Sequence, residues 1–129
     1  MKLYLNDIQI RLALLCGRGF YYLGSPYTKY AGGIEAAFVD ICKIAGMLIR
    51  ERVSIYSLIA HTHPIAIHAD IDPLDHSIWL PADRALMDAA VGLIVAEMDG
   101  WEESYGLKHE IEVFTAADKP IIHLREWNA

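Results

Sequence analysis

Residues 92–101 read Gly92-Leu93-Ile94-Val95-Ala96-Glu97-Met98-Asp99-Gly100-Trp101, and this stretch decides the fold. From Gly92 to Met98 the run is almost uninterruptedly apolar. A strand with one solvated face alternates apolar and polar residues. A continuous run marks a strand covered on both faces, as inside a parallel sheet. Asp99-Gly100 turns the chain at its end. Downstream, Ser104 is suited to cap a helix on which Leu107, Ile111 and Phe114 share a face. Lys119-Pro120 breaks that helix, and Ile121–Leu124 reads as a last strand.

Upstream the same alternation recurs. Phe20–Leu23 reads as a buried strand ending at Gly24-Ser25-Pro26, and Gly32-Gly33 opens a helix predicted to run from about Gly33 to Glu51. Ile34, Phe38, Ile41, Ala45 and Leu48 give that helix one apolar face. Val53–Leu58 reads as a second strand, and His61–His76, rich in His, Asp and Pro, as a long loop. Pro81 suits the first turn of a helix reaching about Ala90. The order predicts an α/β fold, a small doubly wound parallel sheet with helices on both faces. Ligands in such sheets bind beyond the carboxyl ends of the strands. Those ends deliver Gly24-Ser25-Pro26-Tyr27, His61-Thr62-His63 and Asp99–Ser104.

The bulk numbers fit one domain. The chain has 129 residues, 54% of them hydrophobic, enough for a core without metals or disulfides. A net charge of −6 leaves no cationic excess for a nucleic-acid backbone. Cys16 and Cys42 lack metal or disulfide spacing, and Cys42 falls in the amphipathic helical pattern, where it reads as a small buried hydrophobe. A reducing, cytoplasmic setting is expected. Residues 1–19 are interrupted by Asn6, Asp7, Gln9 and Arg11, too polar for a membrane span, and read as an accessory segment before a domain over 20–129. No membrane partner is expected.

Several groups can carry chemistry. Glu110 stands one turn beyond Gly106, so a ligand can approach it across the bare glycine, unless it is an ordinary solvated glutamate. The helix start at Ser104 offers unpaired N–H groups to an anion. Asp83 is either a stabilising acid in a first helical turn or a carboxylate aimed into the cleft. His61, His63, His68 and His76 with Asp70, Asp72 and Asp75 invite a metal reading, but no standard ligand spacing is present. Gly24 and Ser25 permit close backbone approach to a small ligand, and Tyr22 and Tyr27 read as core or turn residues, of which Tyr22 can still tip its hydroxyl into the cleft. Dinucleotide and P-loop fingerprints are missing, as is the context of a serine hydrolase.

Four segments together carry a resemblance: Tyr22-Leu23-Gly24-Ser25-Pro26-Tyr27, Ala60-His61-Thr62-His63-Pro64-Ile65, Pro81-Ala82-Asp83, and Gly100-Trp101-Glu102-Glu103-Ser104-Tyr105-Gly106 with Glu110. Over about residues 20–124 the chain resembles a bacterial and phage family grouped with the nucleoside 2-deoxyribosyltransferase-like superfamily. The resemblance implies a flavodoxin-like or Rossmann-like sheet. It implies cleavage or transfer at the N-glycosidic bond of a (deoxy)nucleoside or its 5′-monophosphate. The superfamily signature Ser-x-Gly-x-x-x-Glu is matched by Ser104, Gly106 and Glu110. By that match Glu110 is the nucleophile at C1′, Asp83 contacts the sugar and assists the leaving base, Tyr22 orients Glu110, and Ser104 serves a phosphate. Gly24, Ser25, Pro26 and Tyr27 would shape the pocket, and a neutral His61 or His63 can pass a proton to the leaving base.

The chain departs from the superfamily where an Ala-Asp pair often precedes the third strand, reading Ala89-Ala90-Val91-Gly92 instead. The His61-Thr62-His63-Pro64 segment belongs to the smaller family. The expected partner is a small nucleoside or nucleotide, with no cofactor and no resident metal. A homodimer or larger homo-oligomer is also expected, to which Trp79, Trp101 and Trp127 can lend apolar area. The alternatives are a non-catalytic nucleotide-binding module on the same fold and a metal-dependent hydrolase built on the histidine-rich loop.

Overall fold

A computed structural model describes residues 2–3, 19–125 and 127–128. Two short strands, β1 (Lys2–Leu3) and β6 (Trp127–Asn128), pair antiparallel with each other. Between them run β2 (Tyr21–Gly24), α1 (Ile34–Arg50), β3 (Ile55–Ser57), α2 (Leu58–His68), α3 (His76–Ala89), β4 (Gly92–Ala96), a 3-10 turn (Trp101–Glu103), α4 (Tyr105–Ala116) and β5 (Ile121–Leu124).

The main sheet has the order β3-β2-β4-β5 with every pair parallel. Alternate side chains divide its core in two, as the two-residue period of a strand requires. Tyr21, Leu23, Ile94, Ala96, Ile122 and Leu124 pack with Ile41, Ile44, Ala45 and Leu48 of α1. Tyr22, Leu93 and Val95 pack with Met87 and Ala90 near the end of α3 and with Leu107 and Phe114 of α4. Helices therefore cover both faces, and the doubly wound parallel sheet expected from the sequence is present. The chain leaves β2 for the edge strand β3 and returns on the other side as β4, so the strand order reverses between β2 and β4. Neighbouring crossovers diverge at such a reversal and leave a crevice at the carboxyl ends.

Three expectations are corrected. The first half of the predicted His61–His76 loop belongs to helix α2, capped by Ser57, whose side chain accepts from the Ala60 N–H at 3.3 Å. Its buried stripe is Ile59, His63 and Ala66, so a histidine fills the central apolar position and hides the helical period, while Pro64 suggests a break that does not occur. The next helix begins at His76 and not at Pro81, because the Asp75 side chain accepts from the Ser77 N–H at 3.1 Å and caps it. Pro81 is accommodated inside α3 on its exposed side. Cys42 is exposed, since it sits one position, or about 100° of helical turn, beyond the buried Ile41. The strands are also shorter than expected, excluding Phe20, Val53, Ser54, Leu58, Glu97 and Met98. The expectations for residues 1–19 and Cys16 fall almost wholly outside the described residues, as does the Trp127 side chain. Among the described residues no helix is long and apolar enough to cross a membrane.

The turn after β4 fixes how α4 enters the site. Gly100 adopts φ +84°, and a Cβ placed there would collide with the Lys29 carbonyl in the loop after β2. Left-handed backbone and steric contact both demand glycine at this position. Gly100→Ala is expected to lower stability by about 1–3 kcal/mol. The measurement is the urea midpoint at unchanged denaturant slope; an unmoved midpoint would contradict this account of the turn.

Candidate active site

The crevice is built by three elements whose local sequence aims polar groups inward. β2 ends at Gly24 and hands Ser25 to the carboxyl edge of the sheet. Ser104 caps α4, its side chain accepting from the Leu107 N–H at 3.3 Å. That start sets the helical phase, so Leu107, Glu110 and Phe114 share the buried face. Glu110 is therefore no solvated helix residue; it is 4% exposed. α3 contributes Asp83, 6% exposed. Because α3 starts early, Asp83 lies in its middle, and the helix-terminus explanation for this acid does not hold. The groups meet around a cavity of about 220 Å³ whose wall includes Tyr22, Ser25, Tyr27, Asp83, Ser104, Gly106 and Glu110. This is small beside the roughly 300–1,000 Å³ usual for drug-sized ligands, and suits one compact molecule.

Burial dominates the electrostatics. Desolvation pushes the Glu110 carboxyl up to about 8; the adjacent Tyr22 hydroxyl pulls it down, and the Asp83 charge raises it again. Desolvation also raises Asp83, to about 6. The Tyr22 hydroxyl is held far above the ordinary phenol range, by burial first and then by Glu110 and Asp83. At neutral pH the site thus holds one ionised and one protonated carboxyl, a separation that lets two acids take different roles. Buried polar atoms normally find partners. Here the Tyr22 hydroxyl, Ser25 Oγ and the Tyr56 hydroxyl complete no hydrogen bond among the described residues. Tyr22 and Ser25 border the cavity, and Tyr56 packs behind Tyr22 with ring centroids 5.8 Å apart. Unspent donors beside two carboxyls are what a polar ligand would use, and catalytic hydrogen bonds often tighten only around a ligand.

The structure gathers most, not all, of the residues predicted for the site. Gly24 does not border the cavity but makes room for it: a Cβ there would come within 2.6 Å of Glu110 Oε1 and 2.8 Å of Leu107. Pro26 is buried beside the cavity without bordering it. His61 is exposed against the Tyr56 ring, at 5.4 Å between centroids, and does not reach the cavity. His63 is 3% exposed and sits behind Tyr27, its Nδ1 2.6 Å from the Tyr27 hydroxyl. His76 lies on the cavity wall beside Tyr105. Among the described residues no three His, Cys, Asp or Glu side chains gather to hold a metal ion, so the histidine-rich segment does not form the centre weighed for it. Sequence reasoning missed Ile59 and Ala66, which with Thr62 border the cavity along one face of α2. Their spacing of three and four was a usable signal once residues 58–68 are seen as helix. It also missed Trp79 and His109, for which no signal was present.

The buried acid has a measurable consequence. A carboxyl that titrates near 4.5 when unfolded and about 8 when folded keeps its proton longer in the folded state. Stability then falls as pH rises between those values, by up to a few kcal/mol in all. Glu110→Gln keeps the shape and removes the titration. It should melt at a higher temperature than wild type at pH 8 and show no gain near pH 4.5. A gap of equal size at both pH values would show that the carboxyl is not desolvated.

A search of curated proteins finds no match to this chain. Comparison with protein families does find one, over residues 19–126, which takes in the whole main sheet and every residue of the cavity wall. The chain belongs to the family described as Domain of unknown function (DUF1937).

Proposed function

We propose that the protein cleaves or transfers the N-glycosidic bond of a (deoxy)nucleoside or its 5′-monophosphate, with Glu110 as nucleophile. The observation that carries this reading is the Glu110 carboxyl, 4% exposed on the wall of a small cavity it shares with Asp83. The resemblance to the nucleoside 2-deoxyribosyltransferase-like superfamily supports it at Ser104, Gly106 and Glu110.

Cleaving the bond builds positive charge at C1′. An ionised Glu110 below the sugar stabilises that charge and closes on C1′ as the base departs. Water then releases the sugar, or a second base takes it. Asp83, ionised above about 6, accepts hydrogen bonds from sugar hydroxyls. Once a substrate is bound, the adjacent Tyr22 hydroxyl turns to Glu110 and steadies its charged form. A 5′-phosphate would meet the free N–H groups at the start of α4, beside Ser104 and Gly106. Because the nucleophile must lose its proton, kcat/KM should rise with pH towards about 8 in the free enzyme.

A second reading has its own support. Near neutral pH the Glu110 carboxyl is mostly protonated, which suits a hydrogen-bond donor in a nucleotide-binding module without turnover. A mass-spectrometric screen of nucleosides and 5′-monophosphates separates the two. The enzyme reading expects free base from at least one substrate, reduced ~10³-fold or more in Glu110→Ala. Release that persists in Glu110→Ala would sink it. Thermal stabilisation by a nucleotide without base release, retained in Glu110→Gln, would favour the binding module.

A further inference from the structure

Tyr27, His63 and Glu35 form a continuous chain from the cavity to solvent. Tyr27 borders the cavity and its hydroxyl lies 2.6 Å from His63 Nδ1. His63 Nε2 lies 2.8 Å from Glu35 Oε2. The imidazole side chain is 2% exposed and stacks on Phe38, at 4.6 Å between centroids and 24° between planes, whereas the Glu35 side chain is 70% exposed. The three groups come from the loop after β2, from α2 and from the first turn of α1. Among the described residues, the titratable groups in contact with His63 are Tyr27 and Glu35. A buried histidine bonded at both nitrogens has a defined proton arrangement, and here its two partners fix it.

A carboxylate can only accept, so the neutral imidazole carries its proton on Nε2 and gives it to Glu35. Nδ1 is then bare, and the Tyr27 hydroxyl donates to it. When His63 is protonated, Nδ1 becomes a donor as well. Tyr27 must then accept from it, which frees the tyrosine's own hydrogen to turn into the cavity. Burial and the Glu35 charge raise the Tyr27 hydroxyl, so it passes a proton on without resting as phenolate.

We propose that Tyr27, His63 and Glu35 are a proton relay that protonates the departing base, with Tyr27 as the group that touches it. The inference rests on the N-glycosidase reading and deepens it. In one step the C1′–N bond breaks and its electron pair goes to the base nitrogen. That nitrogen takes the hydroxyl proton of Tyr27, Tyr27 takes the proton of His63 Nδ1, and a Glu110 oxygen bonds to C1′. His63 ends neutral, with Nδ1 bare and its remaining proton on Nε2 facing Glu35. The reverse transfer accepts a proton from the water that later attacks the glycosyl ester.

The test compares two substrates of one sugar: the nucleoside 5′-monophosphate cleaved in the screen, and the matching 4-nitrophenyl glycoside, whose phenolate leaves without a proton. Tyr27→Phe should lower kcat for base release by ~10²-fold or more, yet leave the aryl glycoside within ~3-fold of wild type. His63→Gln should show the same selectivity. Glu110→Gln should abolish both reactions, and if it spares both, the site reading itself has failed. Equal losses on the two substrates in Tyr27→Phe, or no loss on either, overturn the relay. A screen in which the wild-type protein cleaves no substrate overturns the relay together with the reading it rests on. Nitrogen-15 spectra of the imidazole give a readout free of turnover. Neutral His63 should carry its proton on Nε2, and a proton found on Nδ1 overturns the relay.

Discussion

Placing a carboxyl inside a protein is unfavourable unless something compensates for lost hydration. Glu110 meets this constraint without a cationic partner among the described residues: it sits on the apolar face of α4, between Leu107 and Phe114, and holds its proton to about pH 8. The neighbouring polar groups make sense in relation to it. Tyr22 supplies a hydroxyl, Asp83 a second acid, and Gly24 the missing side chain that lets the carboxyl lie against β2. A hydrophobic residue at 110 would pack more comfortably. A buried acid with an adjacent phenol, beside a cavity, is retained at a cost in stability, as functional sites often are.

The fold explains why this cost arises where it does. The strand order reverses between β2 and β4, and the helices that follow diverge over the carboxyl edge. α3 and α4 cover the same sheet face, so the inward sides of both look across the crevice, and each contributes one carboxyl. α2 closes a further side with Ile59, Thr62 and Ala66, while its His63 turns away towards α1. The same helix thus serves the cavity on one face and links Tyr27 to Glu35 on another.

Much of this was legible in the sequence, and the gaps have physical causes. The apolar run at Gly92–Ala96 announced a strand buried on both faces, and the turn at Gly100 with the cap at Ser104 placed α4 correctly. Glu110 and Asp83 were recognisable as candidates, but their burial was not: Leu107, Ile111 and Phe114 define a face to which position 110 is marginal by pattern alone. α2 was hidden because a histidine occupies its central buried position and a proline follows. The histidine-rich composition suggested metal ligands, whereas the structure spends His63 on Tyr27 and Glu35 and leaves His61 against Tyr56. Long-range pairings of that kind have no local sequence signal.

The central claim is that Glu110 is a desolvated acid in the cavity wall. Carbon-13 labelling of glutamate side chains, with the 110 resonance assigned by its loss in Glu110→Gln, reads its titration directly. The account predicts a midpoint near 8 for this carboxyl, set by burial and trimmed by Tyr22. A midpoint close to the ordinary glutamate value of about 4.4 would mean that water reaches the group freely, and the account would be contradicted.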